Sequence, residues 1–271
     1  MGKIVAVANQ KGGVGKTTTA TNLSALLGSL RQRVLLVDLD PQGNATSGLG
    51  LRAGDRSIYE ALLGQAPLSE CLTASPWEGL TVAPGDIRLA GAEVELVNLP
   101  QREHRLRRLL SAVREAYDFI LIDCPPSLGL LTINALSAAD SVLIPIQCEY
   151  YALEGLSSLV STIRRVQGSF NPSLAVEGIL LTMMDGRTNL STQVAEQVKA
   201  HFRGQVYGVT IPRSVRLGEA PSHGEPIHVY DPRSAGALAY RVLAAEFLTR
   251  NGKRIPKDAA GKAPKPSTRK K

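Results

Sequence analysis

Short apolar segments alternate with longer amphipathic segments along most of the chain. The short segments fit buried strands, and the longer ones repeat apolar residues every three or four positions, which is typical of helices packed on one face. Because predicted strands and helices alternate, the pattern predicts an α/β fold: a mainly parallel, twisted sheet flanked by helices. Strands are predicted at residues 3–8, 33–38, 80–83, 118–123, 141–146, 175–181 and 206–210, and helices at residues 16–30, 102–116, 152–166, 192–202 and 234–250.

The domain organisation follows from the same pattern and from composition. The chain has 271 residues, of which 44% are hydrophobic, enough for a substantial core. No internal repeat and no interior linker interrupts residues 1–250, which are predicted to form one domain. Residues 251–271 combine lysines with proline and glycine, so they are predicted to be a disordered basic tail.

The net charge becomes informative only when its position along the sequence is known. The formal charge of +7 lies in the tail, where eight bases face one acid, and residues 1–250 are balanced. A nucleic-acid surface on the domain must therefore be a local patch. The tail is either a solubilising end or an auxiliary DNA tether.

The cysteines and the amino terminus indicate the compartment. Cys71, Cys124 and Cys148 form no CxxC pair, which favours a reducing cytoplasm and three small buried side chains. The segment before residue 9 is too short for a signal peptide, and no apolar run approaches the roughly 18 residues of a membrane helix. We expect a cytoplasmic protein without a membrane partner.

A glycine-rich segment joins the first predicted strand to the first predicted helix. Glycines allow backbone N–H groups to point inward at phosphates, and the helix N-terminus adds positive potential. Lys16 is predicted to reach the β- and γ-phosphates, and the Thr17 hydroxyl to bind Mg²⁺. The pattern predicts ATP and Mg²⁺ as cofactors, bound by Lys11, Gly12, Gly13, Val14, Gly15, Lys16, Thr17 and Thr18.

Acidic residues end two of the predicted strands. Asp38 and Asp40 close the second strand on one side of the chain, and Asp123 ends the strand at residues 118–123. Unpaired carboxylates at the end of a buried strand are costly unless they serve a cation or a water. ATP hydrolysis needs a carboxylate for the Mg²⁺ shell and a group that orients the attacking water.

The loop departs from the usual G-x-x-x-x-G-K-[ST] pattern, because Gln10 stands at the first glycine and Lys11 is an added base. This KGGxGKT form, a deviant Walker A motif, resembles the P-loop NTPase family that includes ParA, Soj and MinD. The resemblance covers residues 1 to about 248 and fits the chromosomal ParA/Soj branch. Beyond the loop, the resemblance rests on residues 38–48, 123–136, 147–155, 182–189 and 211–222.

That resemblance implies an ATPase that forms an ATP-sandwich homodimer. Lys11 would reach the partner subunit's nucleotide, and Asp40 would position the attacking water. Asp38 and Asp123 would serve the Mg²⁺ shell together with Thr17. Glu149 either meets the nucleotide or the partner's lysine across the dimer or is a structural carboxylate.

The same resemblance implies a role in chromosome segregation. The ATP-bound dimer would bind DNA without sequence preference, and a ParB-type centromere-binding partner would stimulate hydrolysis and release it. Arg187 and Arg216 would lie on the DNA face, whereas Pro212 and Arg213 fall where relatives approach the adenine. Nonspecific binding needs bases placed for phosphate contacts, which these polar turns supply. The protein is then expected to be associated with the nucleoid.

Three other functional classes fit the sequence less well. A MinD-like membrane ATPase needs a C-terminal amphipathic helix, but residues 251–271 offer only Ile255 as a large apolar side chain. An iron–sulfur relative needs cluster cysteines at the dimer axis, which Cys124 does not match. A synthetase or kinase needs a phosphoryl-acceptor motif, and the sequence offers none.

Overall fold

The computed structural model describes residues 1–149 and 152–255. One eight-stranded sheet forms its centre, in the order β3-β4-β2-β5-β1-β6-β7-β8, and only the β3–β4 pair is antiparallel. The prediction of a mainly parallel sheet is confirmed. The strands are β1 (Lys3–Val7), β2 (Val34–Asp38), β3 (Thr73–Ala74), β4 (Leu80–Ala83), β5 (Phe119–Asp123), β6 (Ser141–Gln147), β7 (Ala175–Met184) and β8 (Val206–Pro212).

Helices cover both faces of this sheet. One face carries α3 to α8, and the other carries α1, α2 and α9 to α11. The helices are α1 (Lys16–Ser29), α2 (Asn44–Ser47), α3 (Ile58–Leu63), α4 (Leu89–Glu95), α5 (Arg105–Val113), α6 (Leu130–Ala138), α7 (Ala152–Ser169), α8 (Asn189–His201), α9 (Val215–Glu219), α10 (Ile227–Tyr230) and α11 (Ala235–Arg250).

The strands read as continuous apolar runs because both of their faces are buried. Along β1, Ile4 and Ala6 contribute to the core beneath α3 to α8, whereas Val5 and Val7 contribute to the core beneath α1 and α11. This alternation is the period of two that a strand imposes. The three cysteines are buried free thiols. Among the described residues, no helix is long and apolar enough to cross a membrane.

The prediction of a single helix at residues 102–116 is wrong in detail. The structure has a 3₁₀ turn at Arg102–His104, the helix α5, and a second 3₁₀ turn at Arg114–Ala116. The backbone N–H of Leu106, in the first turn of α5, is taken by Asn134 Oδ1 at 3.1 Å. The Arg114 guanidinium donates to the Gly2 carbonyl at 2.6 Å, fixing the other end. These partners are distant in sequence, so the apolar period alone could not reveal the breaks.

The register of the three central strands determines what meets at the carboxyl edge of the sheet. Val7 of β1 is paired with Asp123 of β5, and Asp123 is paired with Asp38 of β2. The turn after β1 leads directly into α1. One edge of the sheet therefore places both acids beside the glycine-rich loop.

The predicted tail lies almost wholly outside the described residues. Residues 251–255 follow α11 and are held against the domain by Lys253, which contacts Asp118 Oδ1 at 3.3 Å. The disordered tail was predicted for residues 251–271, of which residues 256–271 lie outside the described part of the chain. The tail and its boundary after residue 250 stay predictions.

Close packing of α1 on the strand connection before β4 gives a stability prediction. A Cβ on Gly28 would lie 2.1 Å from the Glu78 carbonyl oxygen, so Gly28→Ala must displace backbone. We expect it to lower the free energy of unfolding by about 1–3 kcal/mol, measured by urea denaturation. Gly168→Ala is the matched control, because its Cβ meets nothing within 4 Å. Equal urea midpoints for the two variants would contradict this packing.

Candidate nucleotide and magnesium site

The loop between β1 and α1 needs glycine for its backbone. Gly13 and Gly15 have φ values of +73° and +86°, in the left-handed region that glycine adopts without strain. A Cβ on Gly12 or Gly13 would meet no atom within 4 Å, so this part of the loop faces open space. The N-terminus of α1 begins directly after Gly15. The loop has the shape and the polarity that phosphates require.

Lys16 lies inside the loop. Its side chain is buried, and Nζ donates to the carbonyl of Lys11 at 3.1 Å. Burial lowers the pKa of the ammonium, while the nearby Asp123 and Asp40 carboxylates work in the opposite direction. A buried cation next to acids, with one carbonyl partner, is poised to pair with a phosphate group.

Asp123 is the least satisfied polar side chain of the site. It is completely buried at the end of β5, and neither of its oxygens has a hydrogen-bond partner. Burial raises the pKa of this carboxyl well above its usual range, and the Asp38 charge adds to the rise. The Thr17 hydroxyl acts in the opposite direction. Carboxylate and hydroxyl oxygens are hard ligands, so Asp123 and Thr17 fit a Mg²⁺ ion held with phosphate and water.

Asp38 corrects the expectation of two unpaired acids at the end of β2. Its Oδ2 accepts from the backbone N–H and the hydroxyl of Thr46 at 2.8 and 2.7 Å. Its Oδ1 accepts from the Asp40 N–H at 3.3 Å. Burial nevertheless raises the pKa of the Asp38 carboxyl. Asp38 therefore fixes the turn that carries Asp40, and its role in the Mg²⁺ shell stays a prediction.

Asp40 itself is buried and has fewer hydrogen-bond partners than Asp38. Its Oδ1 accepts from the Gln42 N–H at 3.0 Å, in a turn that leads to α2. The Thr46 hydroxyl, which donates to Asp38, in turn accepts from the Gly85 N–H at 3.0 Å. Thr46 was missed by sequence reasoning, although it lies within the segment of resemblance at residues 38–48. It links the Asp40 turn to the connection after β4.

Lys11 points away from the loop that contains it. Its backbone N–H donates to Asn9 Oδ1 at 3.0 Å, and Asn9 is anchored on the Pro145 carbonyl at 2.7 Å. Its half-exposed ammonium pairs with Glu149 Oε2 of the same chain at 2.8 Å. Gln147 also donates to Glu149. The structure thus brings Lys11 and Glu149 together within one subunit, and their roles across a dimer stay predictions.

A pocket of about 370 Å³ adjoins the loop. Gly15 and Thr18 line it together with Pro212 and Arg213, the two residues predicted near the adenine. Thr182, which sequence reasoning did not single out, donates its hydroxyl to the Val14 carbonyl at 2.9 Å. This arrangement fits a planar base beyond the phosphates.

The two predicted DNA-binding arginines follow neighbouring strands. Arg187 lies after β7 and pairs with Asp185 at 2.8 Å. Arg216 lies in α9 after β8 and pairs with Glu219 at 2.9 Å. The Arg213 N–H donates to the Met184 carbonyl at 3.2 Å, which joins the ends of β7 and β8. Both arginines are exposed at the same edge of the sheet.

Taken together, the parallel sheet, the loop around Lys16 and the carboxylate of Asp123 define a P-loop NTPase with the deviant loop lysine. A family model described as an AAA domain matches residues 2–176. The sporulation initiation inhibitor protein Soj of Bacillus subtilis is 60% identical, over 91% of this chain and 98% of that protein. The chromosome partitioning protein ParA of Myxococcus xanthus is 55% identical, over 95% of this chain and 92% of that protein. The chain belongs to the ParA/Soj family of chromosome-partitioning ATPases.

A solved structure agrees with the fold. The cobyrinic acid a,c-diamide synthase of Mycobacterium smegmatis, crystallised with ADP and magnesium, superposes with a TM-score of 0.80. It is 40% identical and covers 94% of this chain and 98% of its own. A protein with this fold therefore binds a nucleotide together with Mg²⁺.

The Asp123 environment gives a pH prediction. A carboxyl with a raised pKa binds more protons in the folded state, so the wild-type protein loses stability as pH rises above the ordinary aspartate range near 4. Asp123→Asn removes this loss. We expect the unfolding free energy of the nucleotide-free wild type to fall relative to the variant by up to about 1.4 kcal/mol per pH unit.

Urea denaturation of both proteins between about pH 5 and pH 8 measures this difference. Asp55→Asn, at an exposed acid, is the control and should follow the wild type. If the unfolding free energies of the wild type and Asp123→Asn changed with pH in parallel, burial would not raise the pKa of Asp123.

Proposed function

We propose that this chain is a Mg²⁺-dependent ATPase whose ATP-bound form is a homodimer that binds DNA without sequence preference. A ParB-type partner stimulates hydrolysis, and the dimer then separates and leaves the nucleoid. Membership of the ParA/Soj family supports the cellular role. The observation that carries the mechanism is the different placement of the two loop lysines, one inside the loop and one outside it.

Lys16 occupies the interior of the loop, so the charge needed for the chain's own nucleotide is already present. Lys11 adds a second cation at the rim, and its ammonium is directed to Glu149 instead of the loop interior. A cation held at the rim by an exposed ion pair costs little to redirect, since such pairs contribute only about 0–1 kcal/mol. A second copy facing the loop would offer a nucleotide within its reach.

Hydrolysis requires the acids at the ends of β2 and β5. A Mg²⁺ ion held at this edge would supply positive charge for phosphoryl transfer. Asp123 and Thr17 would hold its shell, and Asp38 would keep the Asp40 turn in place through Thr46. Asp40 has one backbone partner, so its remaining oxygen is available to orient a water.

DNA binding would use the edge that carries Arg187 and Arg216. Arg187 is held by an exposed ion pair to Asp185, and Arg216 is held by exposed ion pairs to Glu219 and, at 3.5 Å, to Asp231. Phosphate oxygens can replace such exposed pairs at small cost. Both residues follow strands, β7 and β8, whose carboxyl ends lie at the same edge of the sheet as the glycine-rich loop. A dimer doubles the number of such contacts, which favours DNA binding by the ATP-bound form.

A synthetase is the second candidate, because the solved structure from Mycobacterium smegmatis bears that name at 40% identity. The higher identity of the partitioning relatives, across nearly their whole length, favours the first candidate. An assay of ATP hydrolysis distinguishes the two candidate functions. A partitioning ATPase hydrolyses ATP without a small acceptor, whereas a synthetase couples hydrolysis to amide formation on one.

Asp40→Ala tests the hydrolytic role. The variant keeps Lys16 and the glycine loop, so we expect it to bind ATP, to lose at least about 100-fold in turnover, and to stay dimeric. Size-exclusion chromatography with ATP and Mg²⁺ measures the dimer, and the nucleotide-free protein is the control. A variant that remains monomeric in ATP would count against both the dimer and the role of Asp40.

Arg216→Ala tests the DNA surface. We expect weaker binding to DNA of any sequence and a log–log salt slope reduced by about 1–2, for one or two lost phosphate contacts per dimer. Arg107→Ala, at an exposed arginine of α5, is the matched control and should bind as the wild type does. ATP-dependent dimerisation should be intact in both. Unchanged affinity of Arg216→Ala at matched salt would refute this surface.

A further inference from the structure

Arg216, one of the two arginines assigned to the DNA surface, is held by two carboxylates. Its Nη1 contacts Glu219 Oε2 at 2.9 Å, and its Nε contacts Asp231 Oδ2 at 3.5 Å. Glu219 lies on the same helix, α9, whereas Asp231 directly follows α10. We name Arg216, Glu219 and Asp231 the Arg216 clamp. One base and two acids give it a formal charge of −1, so the place where a DNA phosphate would bind is negative while both contacts are made.

Both acids of the clamp are fixed by contacts of their own residues. The Tyr230 hydroxyl donates to Glu219 Oε2 at 3.2 Å, and the Tyr230 ring stacks on His223 with the ring centroids 4.8 Å apart. The backbone N–H of Asp231 donates to the Ile227 carbonyl at 2.9 Å, where α10 ends. An isolated exposed ion pair contributes little, but charges that form an ordered network contribute more. The clamp is such a network.

The charges around the clamp are nearly balanced. With histidine counted as neutral, residues 213–233 contain three bases and three acids: Arg213, Arg216, Arg233, Glu219, Glu225 and Asp231. The adjacent helix α11 adds the half-buried Arg241. No large positive field therefore surrounds Arg216, and the two acids of the clamp dominate the charge that a phosphate meets there.

Arg187, the other arginine of the DNA surface, has a different charge beside it. Its Nε and Nη2 donate to Asp185 at 2.9 and 2.8 Å. The Arg187 guanidinium, with a smaller contribution from Arg213, lowers the pKa of the Asp185 carboxyl to about 2. One acid thus lies near two bases at Arg187, whereas two acids hold one base at Arg216. Arg187 offers a net positive charge to DNA, and Arg216 does so only after it leaves its acids.

We propose that the Arg216 clamp weakens DNA binding, because Glu219 and Asp231 compete with DNA phosphates for the Arg216 guanidinium. The inference rests on the proposed function, since it assigns a regulation of the DNA surface. A group that is free for only part of the time lowers the apparent affinity by that fraction. The clamp acts once in each subunit, so its effect is multiplied in the dimer. Weaker contacts shorten the residence of the dimer on DNA, since affinity differences at one interface lie mostly in the dissociation rate.

The double variant Glu219→Gln with Asp231→Asn tests the clamp, because the amides keep the side-chain size and remove both charges. Its affinity for duplex DNA of random sequence is measured by fluorescence anisotropy at fixed salt, with Mg²⁺ and a non-hydrolysable ATP analogue. Size-exclusion chromatography gives the dimer concentration, to which the affinity is referred. We expect binding about 10-fold tighter than that of the wild type, from about 3-fold at each of two subunits. Glu219→Gln alone should show a smaller gain.

The double variant Glu78→Gln with Glu115→Gln is the matched control. It removes the same two charges from exposed acids that precede β4 and β5, at the amino edge of the sheet. Salt screens charges so far from the DNA surface, so the control should bind DNA within about 2-fold of the wild type.

Each other result has a distinct meaning. If removing the clamp acids tightens DNA binding no more than the control does, these acids do not compete with DNA, and the proposed function is unaffected. If their removal weakens DNA binding, the acids orient Arg216 for its phosphate, which also overturns the inference. A wild-type protein that neither dimerises nor binds DNA with the ATP analogue would refute the proposed function itself.

Discussion

The carboxylate of Asp123, buried without a hydrogen-bond partner, is the constraint on which the site depends. A charge in this position is unfavourable by itself, and the neighbouring Asp38 makes it more so. Lys16 and the Thr17 hydroxyl supply partial compensation from the loop, but neither Asp123 oxygen accepts a hydrogen bond of ordinary geometry from the described chain. A cation with its water shell would resolve this arrangement, which supports the proposal that Mg²⁺ and phosphate complete the site.

Asp38 has the complementary task of holding the structure around that site. Its hydrogen bonds with Thr46 tie the Asp40 turn to the end of β2, and Thr46 extends the connection to Gly85 before α4. The result is a connected set of contacts from the end of β2 to the segment before α4.

Much of this could be predicted from the sequence. The seven parallel strands, α1 and the loop follow from local patterns, since both a buried strand and a phosphate loop are encoded in consecutive residues, whereas the two-residue strand β3 was not predicted. The state of Asp38 could not, because its partner Thr46 is set by how the following turn folds back. The Lys11–Glu149 pair likewise joins residues 138 positions apart. The short helices α3 and α4 lack a long apolar period, so they were visible only in the fold.

Sharing of the site between two subunits is the central claim, and mixing two inactive variants tests it most directly. In Lys11→Ala the chain lacks the lysine that it would lend to its partner, and in Asp40→Ala it lacks its own hydrolytic acid. Each variant alone should be inactive. A mixed dimer contains one complete site, so an equal mixture should recover about a quarter of wild-type hydrolysis. If the mixture stays inactive, or if Lys11→Ala alone hydrolyses ATP normally, each site is self-contained and the account is wrong.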